Sequence, residues 1–141
     1  MNVTLAIPPA VARSLAEWHR MIAARDLSAL AALLHPDAVF RSPVAHKPYP
    51  GAAAVALILS NVIEVFEDFS YERQFASADG RSVVLEFRAR VGERALKGVD
   101  LIRFDEQGRI VDFEVMIRPA SALAALGDAM GKRLSAAQAP R

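Results

Sequence analysis

Residues 81–118 read RSVVLEFRARVGERALKGVDLIRFDEQGRIVDFEVMIR, and the period of this stretch decides the fold. Apolar and polar side chains alternate along it, as they do in half-buried β-strands. In the first run, Arg81 to Val91, residues Val83, Leu85, Phe87, Ala89 and Val91 share one face, and Glu86, Arg88 and Arg90 take the other. Gly92-Glu93 turns the chain into a second run, Leu96 to Asp105, and Asp105-Glu106-Gln107-Gly108 turns it again. In the third, Arg109 to Arg118, Val111, Phe113, Val115 and Ile117 alternate with Asp112, Glu114, Met116 and Arg118. Long strands joined by tight turns make an antiparallel meander. One residue breaks the pattern: Asp100 shares an otherwise apolar face with Ile102 and Phe104.

Upstream, Ser70 to Ala76 adds another strand, separated from the meander by the turn Ser77-Ala78-Asp79-Gly80. Before it the period is helical. Pro8-Pro9 suits a first helical turn, whose amides lack partners in any case, and Val11, Leu15, Trp18 and Ile22 form its apolar stripe. Asp26 reads as the N-cap of a second, short helix carrying Leu27, Leu30, Ala31 and Leu34. His35-Pro36 stops that helix, because the residue before proline avoids helical backbone. Asp37 to Val44 reads as a short strand, and a loop from Ala45 to Gly51 leads into a third helix over about 52–66 with Val55, Leu59, Val62 and Phe66 on one stripe. After Pro119, the spacing of Leu123, Leu126, Met130 and Leu134 predicts a C-terminal helix. Helices followed by an antiparallel meander define an α+β fold, with one curved sheet wrapped around the helices.

The 141 residues suit one domain, 1–134, followed by an alanine-rich tail at 135–141 expected to fray. With 17 basic and 16 acidic side chains the net charge is +1, which gives no field to gather phosphate backbones. Nucleic acid is not an expected partner. The chain has no cysteine, so disulfides, thiolate-bound metals and thiol nucleophiles are excluded. Its longest apolar run, Ala52 to Leu59, is far short of the roughly 20 residues a membrane span needs. Met1 to Ala10 lacks the basic start of a signal peptide, so the cytoplasm is the expected location and no membrane partner is expected.

Several local motifs, in this order, resemble the NTF2-like superfamily, which includes ketosteroid isomerase, SnoaL-type polyketide cyclases, scytalone dehydratase and limonene epoxide hydrolase. They are Arg25-Asp26-Leu27-Ser28-Ala29-Leu30, His35 to Pro43, Tyr49-Pro50-Gly51, and above all Gly98 to Ile110, which is similar to the ketosteroid isomerase hairpin. The resemblance spans about Val11 to Ala120. It implies a cone whose helices and antiparallel sheet enclose an apolar pocket, with dimerisation through the outer sheet face. It also implies three reactive positions. Ser42, before Pro43, falls where the isomerase carries its aspartate base; Trp18 falls at its tyrosine, and Asp100 at its aspartic acid. Serine without a partner is too weak a base to take a carbon-bound proton, so steroid isomerisation by that route is not expected.

Asp100 is therefore the candidate catalytic residue, a carboxyl that burial would keep protonated enough to donate to a ligand oxygen. Trp18, Ser42, His46 and Tyr49 are candidate ligand contacts, with Leu85, Phe87, Ile102, Phe113 and Ile117 forming apolar walls. His19, His35 and His46 share no metal-ligand spacing, so neither metal nor cofactor is expected. The charged residues opposite Asp100 read as cross-strand ion pairs on the outer face. Three readings follow: a small enzyme acting on an apolar carbonyl compound, a non-catalytic binder of such a compound, or a protein-interaction module resembling nuclear transport factor 2.

Overall fold

The computed structural model describes residues 7–138. Helix α1 (Pro9–Ala24) opens on proline and buries Val11, Ser14, Leu15, Trp18 and Met21. It ends at Arg25, whose left-handed backbone (φ 52°) breaks the helical ladder. The Arg25 guanidinium donates to the carbonyls of Ile63 (2.7 Å) and Phe66 (3.2 Å), tying the end of α1 to that of α2.

The short second helix shrinks to one 3₁₀ turn, Leu30–Leu33. Asp26 accepts the Ser28 N–H at 2.9 Å and closes an Asx turn instead of capping a helix. Too few residues separate that turn from Pro36 for an α-helix to be nucleated. Strand β1 (Leu34–Arg41) consequently starts and ends three residues earlier than the sequence pattern suggests, with Ser42 beyond its end. Strand β2 (Tyr49–Pro50) is short, and Gly51, at φ 100°, then starts helix α2 (Ala52–Val65). Strands β3 (Glu67–Ala76), β4 (Ser82–Val91), β5 (Arg94–Phe104) and β6 (Ile110–Arg118) follow, then helix α3 (Ala120–Gln138). Helix α3 thus extends into the stretch read as a tail from Ser135, whose last three residues lie outside the described ones.

The sheet order is β2-β1-β6-β5-β4-β3. It is not purely antiparallel, as the resemblance implied: β1 runs parallel to β6, while the other pairs are antiparallel. A helix-and-loop start brings β1 to the edge of the meander from a distance, and no hairpin constrains its direction. The inner sheet face buries Val83, Leu85, Phe87, Ala89, Ile102 and Phe113 against the helices.

On the outer face, charges pair across strands. Arg73 and Lys97 enclose Glu86 at 2.5 and 3.3 Å, leaving it only 4% exposed. The hydrogen bonds from Arg73 lead in holding the Glu86 carboxyl near pKa 2, against the cost of its burial. Arg88–Glu72 (2.5 Å), Arg90–Asp68 (2.8 Å), Arg41–Asp112 (3.0 Å) and Arg103–Asp79 (3.0 Å) repeat the arrangement, so these side chains are engaged on the face away from Asp100. No helix among the described residues is long and apolar enough to cross a membrane.

Candidate active site

Strand β5 points Asp100 inward, in register with Leu85 on β4 and Val115 on β6. The residue is 5% exposed. Ionising a carboxyl there means holding charge among hydrocarbon. Burial accordingly pushes Asp100 up to about 7, although a hydrogen bond from Tyr71 opposes the shift. That bond, from Tyr71 Oη to Asp100 Oδ2, is 2.6 Å long. Tyr71 Oη in turn accepts the Trp18 Nε1–H at 2.9 Å. Three elements, α1, β3 and β5, thus meet in one hydrogen-bonded chain. Burial, followed by the neighbouring Asp100 charge, raises the Tyr71 phenol well above its ordinary range, so it stays protonated.

A cavity of about 270 Å³ adjoins this chain. At roughly 30 Å³ per liquid water it has room for about nine, or one small organic molecule. Trp18 and Ile22 of α1, Leu59 and Val62 of α2, and Met130 and Leu134 of α3 contribute to its walls. Asp100 Oδ1 has no hydrogen-bond partner among the described residues, and no buried side-chain polar atom there is both sealed and unpartnered. Since Asp100 lines the cavity, Oδ1 opens onto it.

Of the residues singled out from sequence, Trp18, Ser42, Tyr49, Asp100, Phe113 and Ile117 meet at the cavity wall. Trp18 is not free to bond a ligand, because its N–H is committed to Tyr71. The Ser42 Oγ accepts the amides of Val44 (3.0 Å) and Ala45 (3.3 Å), so its lone pairs organise the loop at the cavity wall. The other assignments need correction. Leu85, Phe87 and Ile102 do face inward, but each is 1% exposed in the packed core and none lines the cavity. Alternation along a strand identifies the inner face; it does not say where that face meets a helix and where it meets space. His46 is exposed in the loop between β1 and β2, away from the wall.

Tyr71 was not legible as a site residue. Phe69 and Tyr71 turn inward, yet Phe75, at the same parity, is 50% exposed. The β3–β4 register slips between Tyr71 and Gln74, and a slip reverses the faces. The available signal was a strand-borne hydroxyl in a chain with only two tyrosines. Among the described residues, no three His, Asp or Glu side chains converge to hold a metal ion.

A curved, unclosed mixed sheet folded around three helices places the molecule in the NTF2-like class. Within it, the chain belongs to the SnoaL-like domain family, whose model matches residues 15–113. A steroid delta-isomerase structure from Pseudomonas aeruginosa is 66% identical, with TM-score 0.94, and the match covers 97% of this chain and 100% of that one. An uncharacterized cystatin-like-fold protein from Silicibacter pomeroyi is 40% identical, with TM-score 0.81, over 86% and 84% of the two chains. An NTF2-like protein of unknown function from Mesorhizobium loti shares the fold at 20% identity and TM-score 0.70, over 83% and 100%. No curated protein matches the sequence.

Proposed function

We propose that this protein binds a small apolar molecule carrying one carbonyl or equivalent oxygen, with Asp100 Oδ1 as its polar contact. The observation that carries the reading is the open Oδ1 atom in a wall otherwise built largely of hydrocarbon. A half-protonated carboxyl there can donate to a ligand oxygen and act as a general acid in an isomerase, cyclase or dehydratase step. Among the described residues, the wall holds no second carboxylate and no imidazole or amine that could serve as a base. Binding without turnover is the second reading. It draws on Ser42, which by the resemblance falls where the isomerase carries its base and whose oxygen is bonded to backbone amides.

Trp18, the single tryptophan, lines the cavity and can report binding by fluorescence. At pH 6 the ketone 2-acetylnaphthalene should bind up to about tenfold more tightly than the hydrocarbon 2-ethylnaphthalene. One hydrogen bond contributes roughly 0.5–1.5 kcal/mol net. Asp100→Leu should erase the preference, and equal affinities in the wild type would refute the reading. Incubation with a Δ5-3-ketosteroid should give no isomerisation above the buffer rate. Robust turnover would mean that a group other than Ser42 abstracts the proton, as the similarity to the Pseudomonas protein would suggest.

We also propose a homodimer formed through the outer sheet face, where Met116 and Phe75 are 52% and 50% exposed among charges of both signs. Light scattering should give twice the 15.3 kDa chain mass; a monomer at all micromolar concentrations would exclude it.

A further inference from the structure

The hydrogen-bond chain ending on Asp100 has a direction, and the direction is set at its far end. An indole N–H donates and has no acceptor. Trp18 Nε1 therefore gives its hydrogen to Tyr71 Oη, 2.9 Å away. The Tyr71 hydroxyl hydrogen then needs an acceptor, and Asp100 Oδ2 stands 2.6 Å from it. If Oδ2 carried the carboxyl proton and donated to Tyr71, the tyrosine hydrogen would have no partner among the described residues. The acid proton accordingly falls to Oδ1, the atom open to the cavity.

We propose that Tyr71 is a positioning residue, oriented by Trp18, which holds Asp100 so that Oδ1, protonated, is the carboxyl oxygen offered to a ligand. This rests on the reading of Asp100 as the ligand's polar contact. It also narrows the ligand class. With the Trp18 and Tyr71 donors consumed inside the protein, neither can join Oδ1 as a second donor to a ligand oxygen. The site thus suits a neutral ketone or enone better than a fully formed oxyanion, for which Trp18 and Tyr71 supply no converging donor beside Oδ1.

The surroundings allow a clean test. The cross-strand neighbours of Asp100, Leu85 and Val115, carry no charge. His19 is the titratable neighbour of Tyr71, its ring edge-on at a centroid distance of 5.1 Å. It lies in a separate outer cleft with Arg25, whose guanidinium is held by backbone carbonyls, and Ser70. Carbon-13 NMR of labelled aspartate would follow Asp100 in a His19→Gln background, which removes the histidine titration.

Tyr71→Phe should raise the Asp100 midpoint by about one unit, since the bond it deletes favours the ionised form. At pH 5.5 the same change should lower 2-acetylnaphthalene affinity about fivefold relative to that of 2-ethylnaphthalene, as the carboxyl is no longer held. Trp18→Phe should weaken the ketone preference in the same direction. An unchanged midpoint together with an unchanged ketone preference in Tyr71→Phe would overturn the proposal. If that variant does not fold, the wild-type indole N–H resonance decides: it should titrate with the Asp100 midpoint, and a flat resonance would overturn the directed chain. A shifted midpoint with no ketone preference in the wild type would support the positioning by Tyr71 and remove the ligand assignment.

Discussion

Asp100→Asn should make the protein more stable than the wild type by as much as about 4 kcal/mol at pH 8, and leave stability nearly unchanged at pH 3. Asp100 titrates at about 7 in the folded protein against 3.8 for an ordinary aspartate, and each unit of difference corresponds to about 1.4 kcal/mol. Below pH 4 the carboxyl is protonated in both the folded and unfolded chains and contributes no difference. Between pH 4 and 7 the unfolded chain loses the proton while the folded one retains it, so wild-type stability falls across that window and levels off above it. Asparagine preserves the shape and an acceptor for Tyr71 without this penalty. Glu86 and Asp105, whose carboxyls are held below their ordinary values, act with opposite sign at lower pH and are common to both proteins. Denaturant titrations at pH 3, 5, 7 and 8 would isolate the difference. Parallel curves would show that the buried carboxyl is not the source.

Gly98→Ala is expected to destabilise the fold by about 2–3 kcal/mol, the upper part of the range for overpacking a full core. Gly98 lies opposite Phe87 in the β4–β5 ladder. A Cβ there would stand 2.5 Å from the Phe87 ring, 2.8 Å from the Met116 carbonyl oxygen and 3.0 Å from Ile117. The ring cannot easily retreat, because Phe69 stacks on it at 5.0 Å and Phe66 meets it at 5.6 Å. The carbonyl belongs to the neighbouring strand. β5 itself must therefore shift, two residues before Asp100, so the ketone preference should fall with stability. Gly131→Ala is the control, since nothing lies within 4 Å of its added carbon. In the middle of a helix that change should stabilise by up to about 1 kcal/mol. Equal effects of the two substitutions would contradict the packing argument.

The meander was readable because the alternation from Val83 to Ile117 keeps its faces except at the start of β6, where the register slips and Ile110, not Val111 as the alternation implied, is the buried residue. Asp100 stood out for the same reason, as the polar residue on an apolar face. What failed was non-local or irregular. The parallel β1–β6 pairing leaves no turn signature, and the bulge in β3 scrambled the period that would have turned Tyr71 inward. The hydroxyl of Ser42 could be assigned to the cavity by resemblance, but its commitment to the amides of Val44 and Ala45 depends on the loop's own backbone.

The parallel pairing also bears on the order in which the chain assembles. Strands β3 to β6 need only tight turns to find one another. To join β6, by contrast, β1 must close a loop from Phe40 to its partner Phe113, and loop-closure entropy makes such long-range contacts late and slow. Trp18 precedes β1 in the chain, and its bond to Tyr71 is expected to form when this first third of the chain docks on the hairpins. The lone indole is thus a clock for the final step: its fluorescence follows closure of the cavity, and circular dichroism of the strands should run ahead of it.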